Sequence, residues 1–418
     1  MVKNSATGSV FTNTKIRTFD QKNRIFNHYS AASLKTEQGN NGHQNEPSDN
    51  MIDKDMSTSM KITTTSGKNQ KCERWGVVTT IFNPTEAIVR VINSTSWCVV
   101  IVADTKTPSD YTEQLQALLV APSGRQDADH HDKKNHNDTG SAKPAVTNNL
   151  PDNVIYLSVK EQNKIASIDS QTSSPAVSKF VQSTPWKHFS RKNIGYLFAI
   201  QHGAQFIFDF DDDNYIKLEE TSGKPMDILP DKMILKDTRM IIQGPTAFNH
   251  HPIMNASIGD SWARGFPIDL ISENATQGIV AYNTDLPLSG TDYGFSNREV
   301  GVLQFLVDDN PDVDALHRLT KGPSMTFPLS QSSVLVPSHS YAPYNAQATI
   351  HTRNAMFAML LPSTIPGRVS DIWRGYFAQC LFGDIGLSLV FGPPKIVQER
   401  NDHNYLGDFD AETDLYGK

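Results

Sequence analysis

Short apolar runs alternate with amphipathic stretches along the middle of the chain. Residues 75–81 and 98–103 are almost wholly apolar, as is typical of strands buried on both faces. Residues 84–92 lie between them, and their proline in the first turn favours a helix. The alternation continues with a strand, a helix and a strand at residues 154–157, 191–202 and 205–210. This pattern predicts an α/β fold whose mostly parallel sheet is covered by helices.

Three polar stretches interrupt this pattern. Residues 1–70 are rich in Ser, Thr, Asn, Lys and Gln, which predicts a disordered, low-complexity tail. Residues 122–149 predict a disordered, solvated insertion, although their histidines leave metal binding open as an alternative. Residues 167–183 are expected to form a loop. A single ordered domain is therefore predicted over residues 72–416.

Composition and charge exclude several classes of protein. The 418 residues carry a formal charge of −7, which argues against a nucleic-acid-binding surface. No apolar run approaches the roughly 18 residues of a transmembrane helix. The three cysteines are too sparse for a disulfide framework or a zinc site, and we expect two of them to act as small core residues.

An acidic run begins within the strand predicted at 205–210 and continues past its end. It comprises Asp209, Asp211, Asp212 and Asp213. Neighbouring carboxylates repel one another, and a divalent cation such as Mg²⁺ or Mn²⁺ removes that repulsion. Because alternate residues of an extended chain point to one side, both Asp209 with Asp211 and Asp211 with Asp213 have the spacing to hold such a cation. The alternative is a solvated acidic turn.

Polar residues also stand at the other strand ends, where ligands bind in such sheets. These are Thr79 and Thr80 after the first strand and Asp104 after the second, where the alternative for Asp104 is the start of a turn. Arg191 and Lys192 begin the helix predicted at 191–202. Two cations at a helix start are placed to meet phosphate, although a plain surface pair is equally consistent with the sequence.

Seven blocks of sequence resemble the STELLO glycosyltransferase family and together span most of residues 72–416. They are residues 75–87, 102–108, 191–204, 261–267, 310–320, 367–379 and 403–406. Several of them also resemble the plant reversibly glycosylated polypeptides, which are UDP-arabinopyranose mutases. The resemblance implies a GT-A (Rossmann-like) fold, a UDP-sugar-type donor and a glycan or protein acceptor.

The resemblance also selects among the acidic residues. Asp211 and Asp213 align best with the Asp-Asp-Asp block of the reversibly glycosylated polypeptides, so they would be the metal ligands, while Asp209 lies within the strand. Asp211 and Asp212 would also contact the nucleotide.

The resemblance implies roles for further residues. Thr79, Thr80 and Asp104 would line the nucleoside pocket. Asp371 would face the acceptor as the catalytic base that takes the hydroxyl proton, although an Asp opening a helix is ordinarily an N-cap. Asp314 is the second candidate for the base, but it more simply starts a helix.

Three further residues have implied roles near that base. Trp373 and Arg374 would hold a sugar face or a phosphate. His403 would join the metal shell, with a structural histidine as the alternative. The loop at residues 262–266 combines aromatic and basic residues, and it either contributes to the acceptor side or is simply well packed.

The sequence leaves three functions open. The first is a glycosyltransferase. The second is a nucleotide-sugar mutase or self-glycosylating protein that carries the sugar on Arg191. The third is a non-catalytic scaffold associated with polysaccharide synthases. The resemblance implies a Golgi location, whereas the absence of a signal or transmembrane segment predicts a soluble, cytoplasmic protein.

Overall fold

A computed structural model describes most of the chain from Cys72 onward. The described residues are 72–94, 96–121, 150–167, 175–230, 233–273, 276, 278–288, 299–337, 339–400 and 404–416. The segments predicted to be disordered, residues 1–70 and 122–149, lie outside them. Within the described residues, no helix is both long and apolar enough to span a membrane.

Four parallel strands form the N-terminal half of the sheet, in the spatial order β3-β2-β1-β4. They are β1 (Arg74–Thr80), β2 (Cys98–Ala103), β3 (Val154–Leu157) and β4 (Phe206–Asp209). The helices between them are α1 (Glu86–Asn93), α2 (Tyr111–Val120), α3 (Val159–Ala166), α4 (Pro175–Ser183) and α5 (Lys192–Gln201). All four strands occur where the apolar runs predict them.

The sheet continues past β4 with mixed strand directions. Its further strands are β5 (Asn214–Ile216), β6 (Ile234–Gln243), β7 (Val280–Pro287), β8 (Glu299–Asp308), β9 (Val334–Leu335), β10 (Thr349–Thr352) and β11 (Leu387–Gln398). The remaining helices are α6 (His250–Ile253), α7 (Ala315–Lys321), α8 (Gly367–Ile385) and α9 (Tyr405–Ala411). β10 joins the halves by pairing antiparallel with both β4 and β8. The predicted mixed α/β sheet with flanking helices is confirmed.

Helix α5 packs closely on the parallel strands because it carries a glycine where the two meet. A Cβ on Gly195 would lie 2.6 Å from Val77 Cγ1 and 2.8 Å from Val102 Cγ2. Any larger residue would push the helix off the sheet. This close packing fixes the first residue of α5, Lys192, near the end of β4.

Three local expectations are wrong. Residues 175–183, expected to lie in a loop, form helix α4, which packs on α3 through a hydrogen bond from Ser178 Oγ to the Ile165 carbonyl at 2.9 Å. Asp371, expected to open a helix, is the fifth residue of α8. The cysteines are not expected to form disulfides, yet Cys72 and Cys98 are bonded to each other, because the pairing of β1 with β2 brings their Cα atoms to 6.1 Å.

Candidate functional site

The acidic run lies where β4 ends, beside the end of β1. Asp209 is the last residue of β4 and pairs with Val77 of β1. The chain then turns, with the Asn214 N–H donating to the Asp211 carbonyl at 3.1 Å. Thr80, the last residue of β1, donates a hydrogen bond from its hydroxyl to the Asp212 carboxylate. The structure therefore brings together residues that the sequence places at two separate strand ends.

Lys192 is the cation closest to this run. Its ammonium is fully buried, 2.6 Å from Asp209 Oδ1 and 3.0 Å from Asp211 Oδ1. It also donates to the Ala346 carbonyl at 2.9 Å. Burial would lower the pKa of Lys192, but the two carboxylates raise it above its ordinary value. Lys192 is therefore a charged internal partner of the acidic run and not half of a surface pair.

Arg374 holds the same run from the other side. Its guanidinium lies 3.2 Å from Asp209 Oδ2 and donates to the Met359 and Asn345 carbonyls, at 3.0 Å each. Asp209 Oδ2 also accepts a hydrogen bond from the Tyr196 hydroxyl at 2.7 Å. Asp209 is thus a fully enclosed anchor, and the carboxylates that remain for a ligand are the next three.

Those three carboxylates carry charge that their partners do not fully balance. Burial raises the pKa of Asp211 to about 6, against the opposing effect of Lys192. Burial likewise raises the pKa of Asp212 to about 6, with the hydrogen bond from Thr80 opposing and the charge of Asp213 adding to it. For Asp213, burial and then repulsion from Asp211 raise the pKa to about 6.

A second group of charges lies nearby and is fully paired. We call Arg264, Asp312, Asp371 and Arg400 the arginine-paired cluster. Arg264 Nη2 lies 2.8 Å from Asp312 Oδ2 and 2.8 Å from Asp371 Oδ2, and Arg400 Nη2 lies 3.2 Å from Asp312 Oδ1. Burial would raise the pKa of Asp312, but the two guanidinium groups hold it well below its ordinary value.

Asp371, the predicted base, belongs to this cluster. Its carboxylate accepts hydrogen bonds from both Arg264 Nη atoms, at 3.2 and 2.8 Å. It also accepts from the backbone N–H groups of Ala346 at 3.3 Å and Ile372 at 3.0 Å. Asp371 is therefore a buried ion-pair partner inside α8, and the N-cap alternative does not apply.

The segment at residues 345–347 connects the two groups. The Ala346 carbonyl accepts from Lys192 while its N–H donates to Asp371. The Gln347 side chain donates to Gln398 Oε1 at 2.8 Å, and Gln398 donates in turn to Asp213 Oδ2 at 3.0 Å. Sequence reasoning missed both glutamines, because single amides carry no motif and β11 is distant in the chain.

The residues predicted for the nucleoside pocket already make internal hydrogen bonds. The Thr79 hydroxyl donates to the Val102 carbonyl at 2.9 Å. Asp104 is buried and accepts from the Thr105 N–H at 2.6 Å and the Lys187 N–H at 2.8 Å. The Thr105 contact, together with the Thr107 N–H that donates to the Asp104 carbonyl at 3.0 Å, matches the turn-forming alternative for Asp104.

The other predicted residues lie in several places. Arg191 is 1% exposed, stacks on Trp186 at 3.6 Å and donates to the Thr184 carbonyl at 2.7 Å, so the structure does not bring it to the acidic run. Burial lowers the pKa of Arg191 to about 10. Trp373 is 45% exposed on α8. His403 lies outside the described residues.

Asp314 and the aromatic-basic loop have structural partners. Asp314 caps α7 by accepting the His317 N–H at 2.8 Å, and it also accepts from Trp262 Nε1 at 2.7 Å. The helix-start interpretation of Asp314 is thus the one that the geometry favours. Over the part of the chain that is described, no three His, Cys, Asp or Glu side chains form a group able to hold a metal ion.

Comparison with known proteins identifies two relatives in Arabidopsis thaliana. The chain is 24% identical to Probable glycosyltransferase STELLO2 over 357 residues, covering 83% of this chain and 38% of that protein. It is 23% identical to Probable glycosyltransferase STELLO1 over 359 residues, with the same coverage of 83% and 38%. The chain thus spans about 38% of the length of these relatives. No protein-family model matches it. The resemblance to the STELLO-type glycosyltransferase family is therefore confirmed over most of this chain.

Proposed function

We propose that this chain is a glycosyltransferase that uses a nucleotide-sugar donor, of the UDP-sugar type, with Mn²⁺ or Mg²⁺ bound by Asp211 and Asp213. The observation that carries the proposal is the set of three adjacent carboxylates at the strand edge, each with a pKa raised to about 6. A cation would stabilise the ionised carboxylates against the burial, and the smaller mutual repulsion, that raise these values. The names of the two relatives support the transferase class.

The donor atoms available fit a hard divalent cation. Mg²⁺ is typically held by one or two carboxylates and completes its shell with phosphate oxygens and water. Asp211 and Asp213 would supply that number of carboxylates. When bound, the cation would supply Lewis-acid stabilisation of the departing diphosphate. His403 stays a proposed additional ligand.

The surrounding residues hold the two carboxylates in place before any ligand arrives. Lys192 fixes Asp211 and Gln398 fixes Asp213, while Thr80 fixes the Asp212 between them. Such an arrangement lowers the cost of ordering the site on binding. We propose that Lys192 acts on the diphosphate through Asp211 and not by direct contact.

The acceptor side is proposed to lie at α8. Asp371 remains the proposed base, with the condition that Arg264 moves aside, because every hydrogen bond now made to Asp371 competes with an incoming hydroxyl. The acceptor is a glycan or a protein.

Calorimetric titration with a panel of UDP-sugars, with and without Mn²⁺, tests this proposal. We expect metal-dependent binding of at least one donor, weakened at least about tenfold in the Asp211→Asn, Asp213→Asn double variant, since each lost charge-assisted contact is worth about 1.5–3 kcal/mol. The Asp269→Asn, Glu273→Gln double variant is the control, because it removes the same charge from exposed positions. Equal donor affinity in wild type and the Asp211, Asp213 variant would refute the site.

In the mutase alternative, Arg191 itself would have to be glycosylated and would therefore have to be accessible to the donor sugar. Its guanidinium is buried, stacked on Trp186 and bonded to Thr184, so the geometry favours transfer to a separate acceptor. Intact mass after incubation with a UDP-sugar should therefore be unchanged. A scaffold would bind donor without transferring or hydrolysing it, which product analysis distinguishes.

A further inference from the structure

Helix α8 presents an apolar face to solvent. This face takes no part in the charged contacts of the candidate site. Along this 19-residue helix, four exposed residues follow one another at intervals of four: Trp373, Phe377, Leu381 and Ile385, exposed by 45%, 70%, 37% and 46%. Phe357 extends the face, since its ring packs against Phe382 of α8 at 6.3 Å and is itself 51% exposed. We call these five exposed residues the α8 face.

The size of the α8 face matches one half of a protein–protein interface. With about 150–250 Å² per aromatic side chain, the exposed fractions amount to roughly 500 Å² of apolar surface. A standard interface buries about 800 Å² on each partner, and about 65% of it is apolar in homodimers. Apolar patches of this size on monomers usually mark a contact site.

The shape and charge of the α8 face suit a second copy of itself. Residues at intervals of four form a ridge, and two such ridges interdigitate at about −50°, the commonest crossing of helices in globular proteins. A two-fold dimer needs a patch that is complementary to itself, and an apolar ridge meets that need without like-charge repulsion. Cys380 and Asp384 lie on the same exposed side, and Asp384 stands toward the end of the ridge.

We propose that the α8 face is covered by the α8 face of a second copy of this chain, in a two-fold dimer with the helices crossing. Phe377 of one copy then meets Leu381 of the other, and Trp373 meets Ile385. A bilayer of anionic lipid fits less well, because the face carries Asp384 and the chain has a formal charge of −7. This proposal does not depend on the proposed transferase activity.

Light scattering coupled to size exclusion tests the dimer with the full chain. We expect a mass near twice 46.4 kDa for wild type. Phe377→Glu should weaken the dimer about 30-fold or more, because it places an unpaired carboxylate at the centre of the interface. Val120→Glu is the matched control, since Val120 is 71% exposed on α2 and should leave the dimer intact.

Cys380 gives an independent test of which face is buried. It is an exposed free thiol, whereas Cys72 and Cys98 are bonded to each other. A two-fold axis between Phe377 and Leu381 puts the two Cys380 thiols on helices about 8–10 Å apart, within reach of a short bis-maleimide. We expect a covalent dimer in wild type and in Val120→Glu but little in Phe377→Glu.

Three results would overturn the proposal. One is a monomer for wild type at about 100 µM, since standard interfaces bind in the micromolar range or tighter. Another is a dimer that Phe377→Glu leaves unchanged while circular dichroism shows both proteins folded. The third is a wild-type monomer that sediments with phosphatidylcholine–phosphatidylserine vesicles, while Phe377→Glu does not. That outcome would assign the α8 face to a lipid surface.

Discussion

Two groups of buried aspartates lie side by side in this protein, and the pKa of Asp312 in one shifts in the opposite direction from those of Asp211 and Asp213 in the other. In the arginine-paired cluster, the guanidinium groups hold the pKa of Asp312 well below its ordinary value even though burial opposes them. In the acidic run, burial raises the pKa values of Asp211 and Asp213 to about 6. Burial is common to both groups, so the number of cations beside each carboxylate makes the difference.

This difference separates structural charges from candidate functional ones. A fully paired cluster holds its surroundings in one arrangement. If one partner is removed, the other is left as a buried charge without a counterion. An underneutralised cluster costs stability in the free protein and gains it on binding a cation. We therefore infer that Asp312 and Arg264 organise the fold, and we propose that Asp211 and Asp213 bind a ligand.

The largest expected effect comes from removing the shared guanidinium of the paired cluster. Arg264→Met should destabilise the protein by about 3–5 kcal/mol, because it leaves Asp371 without its ion-pair partner in a buried position. Urea denaturation measures the loss. Lys321→Met is the control, since Lys321 pairs with Asp260 at the surface and its loss should cost at most about 1 kcal/mol. Equal losses in both variants would contradict the structural role, and Arg264→Lys gives a second measurement if the first variant does not fold.

Lys192 provides the corresponding change in the acidic run. Lys192→Met should cost about 3 kcal/mol, because Asp211 loses its cation while Asp209 keeps Arg374. Adding Mn²⁺ should narrow the gap in thermal stability between Lys192→Met and wild type, whereas it should stabilise Arg264→Met only as much as wild type and leave that gap unchanged. Lys217→Met, which breaks the partly exposed pair with Asp308, controls for loss of a lysine. If Mn²⁺ rescues neither variant or both alike, the two clusters do not differ as described.

The position of the acidic run at the end of a strand can be predicted from the sequence, because the residues that determine it are neighbours in the chain. An apolar strand followed at once by acids needs no long-range information, and strands at residues 98–103 and 154–157 form with the predicted bounds. Thr80 beside Asp212 also follows from the rule that the ends of parallel strands share one edge.

The arginine-paired cluster could not be predicted in the same way. Arg264 and Asp371 are 107 residues apart, and neither stands in a motif that specifies the other. Arg191 and Lys192 could not be told apart from the sequence either. They are adjacent at a helix start, yet the Arg191 side chain stacks on Trp186 while Lys192 pairs with Asp209. Tertiary packing decides which of two equivalent charges enters the site.

The smallest expected effect is a gain of stability in the acidic run. The pKa of Asp213 is about 6 in the folded protein against an ordinary value of 3.8, so the folded state holds this proton more tightly than the unfolded state. The free energy of unfolding therefore falls as pH rises from about 4 to 6. Above that range the full destabilisation caused by the ionised, buried Asp213 is present. Asp213→Asn removes this destabilisation, which should raise the free energy of unfolding at pH 7.5 by about 1 kcal/mol in EDTA and change nothing near pH 4.

The same variant should lose the stabilisation that Mn²⁺ gives wild type, while Asp269→Asn, at an exposed position, should alter neither measurement. A loss of stability in EDTA at pH 7.5 would show that Asp213 is paired after all, and the contrast between the two clusters would then disappear.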